Sequence, residues 1–121
     1  MLEPLLKPLV WVGTSRKDLR AFPEPVQDQM GYAPYLAQRG SKHRNAKALS
    51  GFGSGTVLEV VSDYRGDAFR AVYTVRHAAA IYVLHAFQKK SKSGIKTPQE
   101  EIDRVIRRLK AVELDYKGRS R

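Results

Sequence analysis

Leu9-Val10-Trp11-Val12, bounded by Pro8 and Gly13, is a short run of β-branched and aromatic residues and predicts a first buried strand. Thr14 or Ser15 then offers an N-cap, and Leu19, Phe22, Val26, Met30, Ala33 and Ala37 recur at steps of three and four, the spacing of one helical face. Residues 15–39 are therefore expected to be helical, with breaks at Pro23, Pro25 and Pro34. Pro34 lacks an N–H and its ring meets the carbonyl four residues back, a cost of about 3 kcal/mol that predicts a kink or two consecutive helices. Gly40 is the expected C-cap.

Residues 41–56 are first basic (Lys42, His43, Arg44, Lys47) and then glycine-rich (Gly51, Gly53, Gly55), which predicts a loop with one helical turn at Ala46 to Leu49. The glycines lack the Gly-Lys-Ser/Thr ending of a phosphate loop, and a strand follows them where a dinucleotide site needs a helix. From Val57 the period becomes two. Val57–Tyr64, Ala68–Arg76 and Ile81–Phe87 read as an antiparallel meander turning at Arg65-Gly66-Asp67 and His77-Ala78-Ala79. Thr97, Pro98 and Glu100 form a capping box, followed by the apolar stripe Ile102, Val105, Ile106, Leu109 and Val112. The expected fold is α+β: a small antiparallel sheet, made of the first strand and the meander, with helices on one face and the other face free for a site. One domain spans 1–121, with its core at about 9–113 and a polar tail at 114–121 that frays from Asp115 onward.

Composition adds a partner class. The 121 residues hold 22 Lys plus Arg against 12 Asp plus Glu, a net charge of +10, and 42% of them are hydrophobic, too many for a disordered basic arm. The charge excess belongs on a folded surface facing something anionic. Zero cysteines exclude disulfides, thiol nucleophiles and Cys-based zinc sites, which fits a reducing compartment and predicts the cytoplasm. No apolar run reaches the ~18 residues of a membrane helix, and Glu3, Pro4, Lys7 and Pro8 interrupt any signal-peptide segment. The three histidines lack metal-site spacing, so neither metal nor other cofactor is expected.

Three groups could carry chemistry. Lys89, Lys90, Lys92 and Lys96 follow the last strand without an acid among them, either as a phosphate-binding edge or as a solvated loop. Arg70 and Arg76 share one parity with Val72 and Thr74, opposite Phe69, Ala71, Tyr73 and Val75; they are either surface arginines or, with the lysines beside them, parts of one phosphate site. His85 shares parity with Phe87 and Lys89 and is the best-placed proton carrier, although a lone strand histidine is more often a satisfied core residue.

Tyr82-Val83-Leu84-His85-Ala86-Phe87-Gln88-Lys89-Lys90, followed by Thr97-Pro98 and a basic amphipathic helix, resembles the C-terminal half of the HigB-like, phage-related (Gp49-like) toxins of the RelE/ParE superfamily. Leu49, Gly51, Gly53, Leu58-Glu59 and Phe69-Arg70-Ala71-Val72-Tyr73 match the middle section, and the resemblance spans about residues 9–112. It implies a RelE/ParE-like fold and the toxin of a type II toxin–antitoxin pair: a metal-independent mRNA endoribonuclease, often acting on the ribosome, that inhibits translation. Its implied silencing partner is a helix-turn-helix, HigA-like antitoxin; no homo-oligomer is indicated. By position, Arg70 matches the arginine at the scissile phosphate, Lys89 and Lys90 the basic pair after the last strand, and His85 a position usually filled by His. Where relatives commonly read Glu-Leu-Arg, this chain has Glu59-Val60-Val61. Such cleavage needs a base, an acid and cations aimed at the transition-state charge. Catalytic roles are therefore expected of Arg70, His85, Lys89 and Lys90, and RNA binding of Arg76, Lys92, Lys96 and Lys47. Arg70→Ala is expected to abolish cleavage and leave the fold intact. A ParE-like, non-enzymatic gyrase inhibitor and a plain nucleic-acid-binding module are the alternatives.

Overall fold

Strict alternation from Val57 onward builds the centre of a five-stranded sheet. In the computed structural model, which describes residues 6–89 and 97–119, the chain runs β1 (Leu9–Trp11), α1 (Ser15–Arg20), α2 (Glu24–Gln38), β2 (Ala46–Ala48), β3 (Val57–Tyr64), β4 (Asp67–Thr74), β5 (Ile81–Lys89) and α3 (Gln99–Arg119). The strand order is β1-β5-β4-β3-β2. β3, β4 and β5 form the expected antiparallel meander. Arg65 and Gly66, with φ of 51° and 86°, make the two-residue turn between β3 and β4.

Two strands correct the expectation. β1 pairs with β5 in parallel, Leu9 opposite Ile81 and Trp11 opposite Val83, so the sheet is mixed instead of antiparallel. Periodicity places a strand but carries no direction. Ala46–Ala48, expected as a helical turn, is β2, antiparallel to β3 with Lys47 opposite Glu59. Three residues are too few to display a period, and the edge of β3 supplies the missing hydrogen bonds.

The helical layer expected on one face is formed by α1 and α2. Leu19, Val26, Met30, Ala33 and Ala37 pack there with Leu58, Val60, Phe69, Ala71, Tyr73, Ile81 and Val83. The break between the two helices falls at Pro23, whereas Pro34 lies inside an unbroken α2 as part of its buried face. Burial of the ring compensates the hydrogen bond Pro34 cannot make. Beyond α2, Gly40 at φ 82° permits a Schellman end: the Gly40 N–H donates to Ala37 O (3.0 Å) and the Ser41 N–H to Leu36 O (2.8 Å).

α3 departs from the one-sided arrangement. Val105, Leu109 and Val112 pack with Val57, Val72, Tyr82 and Leu84, the strand residues of opposite parity, so much of the face expected to be free is covered. A β-bulge accompanies this packing: Tyr73 faces Val83 and Val72 faces His85, which leaves Leu84 as the extra residue. α3 also continues through Asp115 to Arg119 where a frayed tail was expected, and Tyr116 stacks on His77 at 4.2 Å. No helix among the described residues is long and apolar enough to cross a membrane.

Candidate functional site

On the α3 side of the sheet, register lines up Lys47, Glu59, Val72 and His85 across four strands, and Val61, Arg70 and Phe87 in the next row. Glu59 joins this surface to the start of α3. Its Oε1 accepts from Arg70 Nη1 at 2.6 Å, and its Oε2 accepts from the Thr97 hydroxyl at 2.7 Å. Thr97 therefore anchors α3 to β3 instead of closing the expected capping box, and Pro98 O accepts the Ile102 N–H at 3.1 Å. Arg70 is only 7% exposed. At that depth either charge left alone is strongly destabilising, so the expectation that Arg70→Ala leaves the fold intact does not hold for this geometry.

His85, 1% exposed, lies beneath α3 between two charged side chains. Arg108 Nη1 stands 3.3 Å from His85 Nδ1 and donates to Leu84 O at 2.9 Å. Arg108 Nη2 donates to Thr14 Oγ1 at 3.1 Å, and Thr14 donates to Asp18 Oδ2 at 2.7 Å. On the other side of the ring, Glu101 Oε2 is 3.3 Å from His85 Nε2. A guanidinium can only donate, so Nδ1 is the acceptor and the neutral ring carries its proton on Nε2, facing Glu101. Burial holds the imidazole below its usual value of 6.5; Glu101 opposes that shift, while Arg108 and Arg104 reinforce it. The Arg108 guanidinium is itself lowered, first by burial and then by Arg104. Gly13 makes room for it: φ is 56°, and a Cβ there would stand 2.9 Å from Arg108 Nε.

β1 ends at Trp11, opposite Val83, whereas β5 runs on to Lys89. Beside this overhang opens a cavity of about 570 Å³ whose lining includes Asp18, Phe22, His85, Phe87, Glu101 and Arg104. Glu101, with a 17% exposed side chain, is the carboxylate that meets both His85 and this space.

The structure places Arg70, His85 and Lys89 on one side of the sheet, Lys89 opposite Ala68 and buried. Lys47 lies at the sheet edge beside Glu59, in a depression shared with Arg44 and Asp63. Lys90, Lys92 and Lys96 fall outside the described residues. Arg76 is not brought to Arg70: β4 ends at Thr74, and Arg76 Nη1 pairs with Glu113 Oε1 at 3.0 Å. The sequence reading missed Glu101 as a site residue and assigned Arg108 only to general attraction. Their signal was present, since Glu101, Arg104 and Arg108 recur at i, i+3 and i+7 and share one helical face.

Comparison with curated proteins and with solved structures gives no match. The family model described as Phage derived protein Gp49-like (DUF891) matches residues 17–110, which include Glu59, Arg70, His85, Glu101 and Arg108. Spanning most of the chain and all of the charged cluster except Thr14, this match shows that the chain belongs to the Gp49-like phage-derived protein family, which is associated with the toxins of toxin–antitoxin pairs.

Proposed function

We propose that this protein is a toxin of RelE/ParE type that cleaves mRNA without a metal ion. The observation that carries the reading is the chain Glu101–His85–Arg108, with 3.3 Å on either side of the imidazole, whose first two members line the cavity beside β5. Its members supply what intramolecular cleavage requires. The Glu101 carboxylate takes the proton of a 2′-hydroxyl, O2′ bonds to the adjacent phosphorus, and the P–O5′ bond breaks. The leaving 5′-oxygen takes back the proton that Glu101 now holds, giving a 2′,3′-cyclic phosphate and a 5′-hydroxyl end. His85, too buried to touch RNA, acts as a positioning residue whose Nε2–H faces and orients the Glu101 carboxylate. Arg104, which lines the cavity beside Glu101, faces the charge that develops on the phosphate, and Arg108 holds His85 from the other side. Arg70, held by Glu59, and Lys89 lie on this same side of the sheet, with Lys47 at its edge, and the path of the RNA backbone runs over them. The same basic side offers an acidic antitoxin segment its place, and the ribosome is the expected setting of the substrate.

The test is cleavage of mRNA by purified protein in chelator, with and without ribosomes. Glu101→Gln is expected to lower the rate by about 10²–10⁴ without loss of folding, the usual worth of a positioned acid–base group. Unchanged cleavage in that variant overturns the assignment. DNA damage after induction without new RNA 5′ ends would favour a gyrase inhibitor instead.

A further inference from the structure

The helical layer on the opposite side of the sheet turns a different surface to solvent. α2 buries Val26, Met30, Ala33 and Ala37, yet its outer stripe carries two large rings that the core does not use. Tyr32 is 50% and Tyr35 39% exposed. The rings stack on each other with centroids 6.2 Å apart and planes 25° apart. The Arg39 guanidinium continues the column, 5.8 Å from the Tyr35 centroid. At the other end the buried His43 meets the Tyr32 ring edge-on at 5.7 Å, its own orientation fixed by the Asn45 N–H donating to Nδ1 at 3.0 Å. Tyr32, Tyr35 and Arg39 thus form a ladder of planar groups at i, i+3 and i+7, about 10 Å long by helical rise.

Charge identifies the occupant. Residues 29–45 contain no Asp or Glu and carry Arg39, Lys42 and Arg44, while Asp28, exposed one turn before Tyr32, marks the acidic end of the stripe. Among the described residues, no ion pair neutralises Arg39, Lys42 or Arg44. Exposed aromatic rings continued by cations are the combination that holds single-stranded nucleic acid: bases stack on the rings and phosphates meet the cations. We infer that the outer face of α2 is a second, sequence-tolerant binding platform for single-stranded RNA, with room for about two or three stacked bases, on the side of the sheet away from Glu101 and Arg70. It grips an RNA strand independently of the cleavage site and stands whether or not the cavity cuts.

The test uses the full chain and a fluorescent 2′-O-methyl RNA 12-mer, which cannot be cut by 2′-hydroxyl attack, so failure of cleavage and failure of this platform are read separately. Tyr32→Ala/Tyr35→Ala is expected to weaken binding at least tenfold, the scale of losing stacked bases, while Tyr32→Phe/Tyr35→Phe stays within about twofold of wild type. Arg39→Gln/Arg44→Gln is expected to flatten the salt dependence by one to two counterions and to weaken binding at low salt. Thermal melting checks that each variant folds; should the alanine pair not fold, the arginine pair decides. Wild-type affinity and salt slope in the alanine and arginine pairs overturn the platform, as does equal loss in the alanine and phenylalanine pairs, which would mean that hydroxyl hydrogen bonds and not stacking hold the strand. Tyrosine-dependent binding of an oligo-glutamate peptide without binding of the 12-mer also overturns it, in favour of an acidic protein.

Discussion

The two faces of the sheet use the same alternating strands to opposite ends. Toward α1 and α2, β4 presents Phe69, Ala71 and Tyr73 to a continuous apolar layer. Toward α3, the intervening positions carry Arg70 and Val72, and the neighbouring strands add Glu59 and His85. Apolar packing covers only part of that side, through Val105, Leu109 and Val112; polar and charged contacts are set beside it, through Thr97 and Glu101 at the start of α3 and Arg108 at its middle. A dry face needs only shape and volume, whereas the charged end has to set its buried charges beside groups of opposite sign. That requirement orders these groups and makes the region suitable for chemistry.

The sharpest way to break this contrast is to remove one partner on the charged side. Glu59→Ala leaves the Arg70 guanidinium buried without its carboxylate and releases Thr97 at the start of α3. A loss of about 3–5 kcal/mol is expected in urea unfolding, with the Glu59→Ala/Arg70→Ala double variant losing less than the sum of the two single ones. Additive losses would mean that the two side chains do not act as a pair.

His85 gives the charged side a pH dependence. Its native pKa lies below the unfolded value of 6.5, so in the interval between them the unfolded chain binds more protons. Stability is fully present above 6.5 and is lost as pH falls toward the native value, with a slope of at most about 1.4 kcal/mol per pH unit. Melting followed from pH 7.5 to 5.5 should show this decline in the wild type and a flatter profile in His85→Gln. Equal slopes would remove His85 as the titrating group.

The apolar side contains one opposite case. Tyr73 is fully buried, its hydroxyl has no hydrogen-bond partner among the described residues, and burial pushes its pKa up to about 12. An unsatisfied hydroxyl opposes folding, so Tyr73→Phe is expected to stabilise by about 1 kcal/mol in urea unfolding. A destabilised variant would show that the hydroxyl is needed and that this face is less uniformly dry than its neighbours indicate.

The apolar half of the molecule was the more legible in sequence. The stripe from Leu19 to Ala37, the alternation from Val57 and the stripe from Ile102 to Val112 all record burial, and burial repeats with the backbone period. The parallel pairing of β1 and the short β2 were not legible, because each depends on an edge supplied from far along the chain. The charged site was half legible. Parity grouped Arg70, His85 and Lys89, but Glu101 and Arg108 read as helix surface because nothing in the sequence says which strand lies beneath α3. Parity also misled at Arg76, since β4 ends before reaching it and parity beyond a strand end has no meaning.

Arg76 supplies the smallest test and bears on where the charged region stops. Its ion pair with Glu113 joins side chains that are 34% and 36% exposed, and His77 Nε2 lies 3.7 Å from the same carboxylate oxygen. Exposed pairs contribute about 0.2–1 kcal/mol, so Arg76→Ala should shift urea unfolding by no more than that. Cleavage should stay within about twofold of wild type, because Arg76 lies beyond the end of β4 and is held by Glu113 of α3, whereas Arg70 is held by Glu59. A tenfold loss of cleavage at unchanged stability would extend the RNA path along the whole α3 side; an unchanged rate confines the working surface to the end where α3 begins.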